Sequence, residues 1–190
     1  SNHHVFVMNL SSALRHVVDN AKSFGQSAAF HDLQQRAVNR VVPFQILRGM
    51  TAILPDINPG LFDAGGFRAG FAHRDEVLAA ATAEYEMTPA FAEEALDKGD
   101  ECFALFDGDR LASFGWYSNQ PTRISDGLVL RFDPAWVYMY KGFTHPDYRG
   151  KRLHGIGMSL ALLAYTNQGS RGLISYVKSN NFQSLRSIER

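Results

Sequence analysis

The chain has 190 residues, 45% of them hydrophobic and 20% charged, which suits a globular domain with an extension and excludes a disordered polymer. Lys+Arg and Asp+Glu both number 19, so the net charge is zero. A dedicated nucleic-acid binder needs a surplus of phosphate-neutralising side chains, and none exists here.

Cys102 is the only cysteine, so a disulfide within the chain and a cysteine metal cluster are excluded, and a reducing, cytoplasmic compartment is expected. His3 and His4 read as a chain end rather than a metal site, and no metal is expected. No apolar run approaches the ~20 residues that cross a bilayer. The start, "SNHHVFVMNL", has no basic segment ahead of its apolar patch, so neither a membrane role nor a signal peptide is expected.

In chain order, Val5, Val7, Leu10, Leu14, Val17 and Val18 follow a mostly helical spacing that stops at Gly25. A second amphipathic helix fits "AAFHDLQQRAVNRVV" and ends before Pro43. "FQILRGMTAIL" fits a strand or a helix equally well. "PDINPGLFDAGG" is loop chemistry and sets the expected boundary: a mostly helical extension over residues 1–62 and a mixed α/β domain over 63–190. Covering a cleft of the second domain, completing the fold and forming a homodimer contact are all open to the extension.

Beyond the boundary, "FRAGFA" reads as a short strand and "HRDEVLAAATAEYEM" as a helix starting near His73. Thr88-Pro89 caps a further helix through Lys98, closed by Gly99. "ECFALFDGDRLASFGWY" is two apolar runs joined at Asp107-Gly108, which fits a tight hairpin turn better than a pair of metal-binding aspartates. "AWVYMYKGFT" is a strand, "GIGMSLALLAYTNQG" an apolar helix, "GLISYVKS" a strand, and "NNFQSLRSIER" opens a last helix. The order gives a mixed sheet with one antiparallel section and one βαβ crossover.

The chemistry concentrates where a strand meets a basic turn and a helix start, in "YMYKGFTHPDYRGKRLHGIGMSLALL". Backbone N–H groups at a helix start have no internal acceptor and point outward, so they suit a phosphate. This tract resembles the acetyl-CoA-binding segment of the GCN5-related N-acetyltransferases (the GNAT superfamily), in which a Val-x-Pro-like strand end precedes Arg/Gln-x-x-Gly-x-Gly/Ala. Thr144-His145-Pro146 takes the first part, and Arg149 follows the proline at the family's spacing. A second match lies in Asn181, Ser184, Arg186, Glu189 and Arg190, similar to the Asn-x-x-Ser-x-Arg element of ribosomal-protein-type acetyltransferases. The resemblance covers roughly residues 66–190.

It implies a GNAT-like acyl-CoA N-acyltransferase fold and an acyltransferase that uses acetyl-CoA or another acyl-CoA. The acceptor would be an amine of a small molecule or a protein, reached by direct transfer. Backbone groups of Gly142, Phe143 and Thr144 would hold the pantetheine arm. The turn from Arg149 through Gly150, Lys151, Arg152, Leu153 and His154 to Gly155 would wrap the pyrophosphate, and Asn181 would touch the cofactor from the next junction.

The sequence departs from the family in two ways. Arg152 and His154 stand where the Arg149 register expects glycines. The positions where the family often carries a carboxylate base hold Tyr138 and Tyr176, and the final helix has Ile188 in place of an acidic tyrosine. Tyr138 and Tyr176 are the candidate catalytic residues, as pocket groups or proton donors. Ordinary strand aromatics are the plain alternative, with His145 or Glu84 as bases elsewhere. His154 reads either as a phosphate donor or as an exposed residue of the first helical turn. An acyl-CoA-binding module without turnover, or transfer from an acyl carrier protein, are the other readings. Because the family continues past this motif with two further strands, an open sheet edge is expected: either the domain is incomplete at its C-terminal end, or the N-terminal segment or a partner completes the sheet.

Overall fold

The computed structural model describes residues 47–125 and 128–178. The two helices expected within residues 5–42, the last helix and Asn181 lie outside these. Gly49–Tyr176 forms a compact unit of its own.

The ambiguous apolar run settles as strand β1 (Leu47–Ala52), and the Pro/Gly-rich stretch after it forms two 3-10 turns, Leu54–Asp56 and Pro59–Leu61. Strand β2 (Arg68–Phe71) leads to helix α1 (Arg74–Ala79), where the His73 N–H donates to Glu76 Oε2 at 2.8 Å. The helix formers of this segment do not sustain one long helix. The chain turns after Ala80, makes a 3-10 turn over Ala83–Tyr85 and passes Glu86 at φ 51°. Tertiary packing overrides propensity here: Tyr85 and Met87 are both buried, Tyr85 with its ring edge against Phe143.

Helix α2 (Pro89–Lys98) has the expected boundaries: Thr88 Oγ1 accepts from the Phe91 N–H at 3.2 Å, and Gly99 ends it at φ 90°. Strands β3 (Glu101–Asp107) and β4 (Arg110–Ser118) form the expected hairpin, but Asp107 pairs with Arg110. The turn is therefore Gly108-Asp109, one residue later than expected, with Gly108 supplying the positive φ. A small hairpin, β5 (Thr122–Ser125) with β6 (Leu128–Leu130), stands apart from the main sheet and went unread in the sequence. Strand β7 (Trp136–Thr144), helix α3 (Leu153–Asn167) and strand β8 (Gly172–Lys178) complete a βαβ crossover.

The main sheet runs β1-β8-β7-β4-β3-β2, antiparallel from β2 to β7 and parallel between β7 and β8. The outer side of β8, expected open unless the N-terminal segment or a partner filled it, is taken by β1 of that segment; Gly172 sits so close to the Ala52 carbonyl that a side chain there would collide with it. Each face of the sheet buries its own core. Ala104, Phe114 and Trp116 pack with Val77 and Ala92 under α1 and α2. Phe103, Tyr117, Val137 and Met139 pack with Leu162 and Tyr165 under α3. Among the described residues, no helix is long and apolar enough to cross a membrane.

Candidate active site

Two adjacent irregularities in β7 create the site. The parallel ladder with β8 covers only Trp136↔Gly172, Val137↔Leu173 and Tyr138↔Ile174, although β7 continues to Thr144 and β8 to Lys178. Beyond Tyr138 the two strands part, and the β8-facing backbone groups of β7 lose their ladder partners. On the other side, Trp116 pairs with Lys141 and Tyr117 with Met139, which leaves Tyr140 as the extra residue of a β-bulge.

Backbone alternation decides which groups face the opening. The Phe143 carbonyl accepts from Ser113 Oγ at 3.0 Å, and the His145 N–H donates to the Ala112 carbonyl at 2.9 Å, so both face β4. Gly142 and Thr144 therefore turn their peptide groups toward the opening, with Arg149 Nε approaching the Thr144 carbonyl at 3.4 Å. The Phe143 ring is occupied in packing, stacked on Phe114 at 5.8 Å.

The basic turn follows at once. Gly150 takes φ 82°, and Arg152, the residue before α3, takes φ 60° in the left-handed region that usually selects glycine. The first backbone bond of the helix runs from the Ile156 N–H to the Arg152 carbonyl at 3.0 Å. The N–H groups of Leu153, His154 and Gly155 thus have no acceptor among the described residues, while Arg149, Gly150, Lys151 and Arg152 are exposed around them. The Leu153 side chain is buried beside Leu105 and Tyr148, so only its backbone serves the site.

The His154 side chain is not the exposed residue of the first helical turn that one sequence reading offered. Its ring turns inward against β7: a Cβ on Gly142 would lie 2.6 Å from His154 Cε1, so the missing side chain of Gly142 makes the room. Burial lowers the His154 pKa from its ordinary value, which keeps the imidazole uncharged at neutral pH. It can offer a neutral hydrogen bond, not a positive charge, to an anion.

Tyr138 and Tyr176 lie against each other, with rings stacked at 6.0 Å and 13° where the strands part. Tyr138 is buried, and burial first, with the Tyr176 phenol second, raises its pKa far above the ordinary tyrosine range. It is a proton donor at most, never a base near neutral pH. Tyr140 extends the stack, 5.8 Å from Tyr138, and its hydroxyl donates to Asp100 Oδ2 at 2.8 Å. Lys98 Nζ reaches the same oxygen at 2.8 Å, and the Asp100 side chain is only 1% exposed. This carboxylate escaped the sequence reading. It lies 40 residues from Tyr140, and no local spacing signals the pair.

His145 and Glu84 also meet, at 2.9 Å from Nε2 to Oε1. Nδ1 accepts from the Asp147 N–H at 3.2 Å, and Arg110 Nη2 lies 3.2 Å from Nε2 on the same side as Glu84. Both ring nitrogens are committed. His145 thus ties the 3-10 turn Pro146–Tyr148 to the one at Ala83–Tyr85.

No family model matches the sequence, and no curated protein matches it. Among solved structures, the chain is similar to a protein from Novosphingobium aromaticivorans described as an acetyltransferase of the GNAT family. The TM-score is 0.50 at 20% identity, covering 75% of this chain and 56% of that one. The fold is that of the GNAT superfamily. An N-acetyltransferase from Staphylococcus aureus gives a TM-score of 0.49 at 10% identity, over 66% of this chain and 81% of that one. A ribosomal-protein-alanine N-acetyltransferase from Brucella melitensis gives 0.35 at 19% identity, over 67% and 78%. At these identities likeness concerns the fold alone, and the first superposition carries it. Within this GNAT fold the parted strands, the bulge and the basic turn lie side by side at one end of the sheet.

Proposed function

We propose that the protein is an acyltransferase that uses acetyl-CoA or another acyl-CoA and transfers the acyl group directly to an amine. The observation that supports this most is the parting of β7 and β8 after Tyr138↔Ile174, beside a helix start whose N–H groups lack acceptors. An extended, amide-bearing arm suits the unpaired edge of β7, as a missing strand would. A pyrophosphate suits the N–H groups of Leu153, His154 and Gly155, with Arg149, Lys151 and Arg152 as neutralising charges. The residues present therefore fit a CoA moiety, the left-handed Arg152 replacing the family's glycine at the turn.

When bound, acyl-CoA supplies an activated thioester carbonyl to the amine. The chain's share is to hold the arm along Gly142 and Thr144, anchor the phosphates on the turn and manage protons with the tyrosines. A second reading, binding without turnover, draws on the absence of a carboxylate at Tyr138 and Tyr176. Calorimetric titration separates the outcomes. Acyl-CoA use predicts saturable binding of CoA and acetyl-CoA, weakened roughly tenfold (~1.4 kcal/mol) by Arg149→Glu with unchanged thermal stability. Folded protein that binds neither ligand at millimolar concentration rules out both readings. Release of free thiol from acetyl-CoA with a panel of amines then argues for transfer over silent binding.

A further inference from the structure

We propose that Tyr140, Asp100 and Lys98 form a proton wire, which takes a proton from the acceptor ammonium where β7 and β8 part and passes it to solvent beside α2. The inference rests on the acyl-transfer reading and supplies the carboxylate that Tyr138 and Tyr176 do not.

The geometry is continuous. Tyr140 is the bulged residue just past the last paired position of β7 and β8, and a bulge re-aims its side chain. Its hydroxyl is 2.8 Å from Asp100 Oδ2, and that oxygen is 2.8 Å from Lys98 Nζ. Asp100 is fixed where α2 ends, its N–H donating to the Ala95 carbonyl at 2.9 Å. Lys98 is 29% exposed and is held by Thr122 Oγ1 at 3.0 Å and Ser118 Oγ at 3.4 Å. One end of the wire therefore meets the parted strands and the other meets water.

The cluster is poorly arranged for stability alone. Asp100 Oδ1 is buried without a hydrogen-bond partner among the described residues, and so is Trp116 Nε1. Unsatisfied buried polar atoms cost free energy, and a carboxylate kept under that penalty points to a chemical duty.

The transfer balances. The ammonium N–H bond breaks and its proton joins the Tyr140 oxygen, while the phenolic proton moves to Asp100 Oδ2. Lys98 gives one proton to water and takes the one from Asp100. The amine keeps its electron pair, and Tyr140, Asp100 and Lys98 return to their starting states. Tyr140 touches the acceptor and is the catalytic residue; Asp100 and Lys98 act through it.

The test measures thiol release from acetyl-CoA by the full chain, with water and then primary amines as acceptors, as a function of pH. Tyr140→Phe keeps the ring contacts with Tyr138 at 5.8 Å and Phe91 at 6.3 Å and removes only the hydroxyl. It is expected to lower kcat about 100-fold, with KM for acetyl-CoA and CoA affinity unchanged. Asp100→Asn should do the same and change the pH profile, and Asp100→Glu should restore part of the rate. A readout without turnover is ¹³C NMR of Cζ-labelled tyrosine in the unliganded protein. Burial and then the Asp100 hydrogen bond hold the Tyr140 pKa above the ordinary value, so Asp100→Asn should bring it down. If Asp100→Asn fails to fold, Tyr140→Phe decides alone. Wild-type rate and pH profile in Tyr140→Phe overturn the wire, as does an unmoved Tyr140 resonance in folded Asp100→Asn. Wild type that binds CoA but releases no thiol above buffer also overturns it. Failure to bind CoA removes the acyl-transfer reading itself, and the wire with it.

Discussion

The two ends of β7 use the polypeptide in opposite ways. From Gly142 through Gly155 the site is made of backbone: unpaired peptide groups, a left-handed turn and the open N–H groups of α3. At Tyr138 and Tyr140 it is made of side chains, stacked rings and a buried carboxylate drawn from the far end of α2. A backbone site needs small and basic residues at short fixed spacings, and those leave a trace in the sequence. A side-chain site needs only that three-dimensional neighbours have the right groups. The first kind carries over between distant relatives of one fold, while the second is free to change.

The largest expected effect probes the place where the two meet. Gly142→Ala puts a Cβ 2.6 Å from His154 Cε1 and 3.0 Å from Met139 Cε. The expected cost is about 1–3 kcal/mol in urea unfolding. His154→Ala should recover much of it in the double mutant, because it removes the ring that Gly142 accommodates. Additive losses would show that the ring is not lodged against Gly142.

A smaller effect concerns pH. Burial lowers the folded-state pKa of His154, so the unfolded chain binds that proton more tightly. The stability tied to the neutral ring is fully present above the ordinary histidine value of about 6.5. It is lost as pH falls through the lowered folded pKa. His154→Gln should flatten this part of the pH–stability profile, measured by urea unfolding on both sides of neutrality. An unchanged acid slope would place the ring in solvent.

The same division explains what was legible in the sequence. Thr88-Pro89 and Gly99 bound α2 as read, because capping is local chemistry. The β3–β4 hairpin, although it turns at Gly108-Asp109 rather than Asp107-Gly108, and the β7–turn–α3 unit are likewise encoded within a few residues. Strand β1 was ambiguous because a short apolar run has no decisive period, and its place beside β8 depends on residues more than a hundred positions later. Helix α1 came out shorter than its helix formers suggest, since burying Tyr85 and Met87 requires the chain to turn. His154 could not be placed from its own neighbours. Its direction is set by Gly142, on a different element. Asp100 was hidden for the same reason, at the end of a helix whose polar residues otherwise face water.

The central claim is that the unpaired edge of β7 and the open start of α3 receive one ligand together. Residue-resolved amide hydrogen exchange, with and without CoA, tests it most directly. The account predicts slower exchange at Gly142 and Thr144 and at Leu153, His154 and Gly155, saturating at the same CoA concentration. The amide of His145, already bonded to Ala112, should stay unchanged. Protection confined to the turn, or absent from both stretches, would contradict the account.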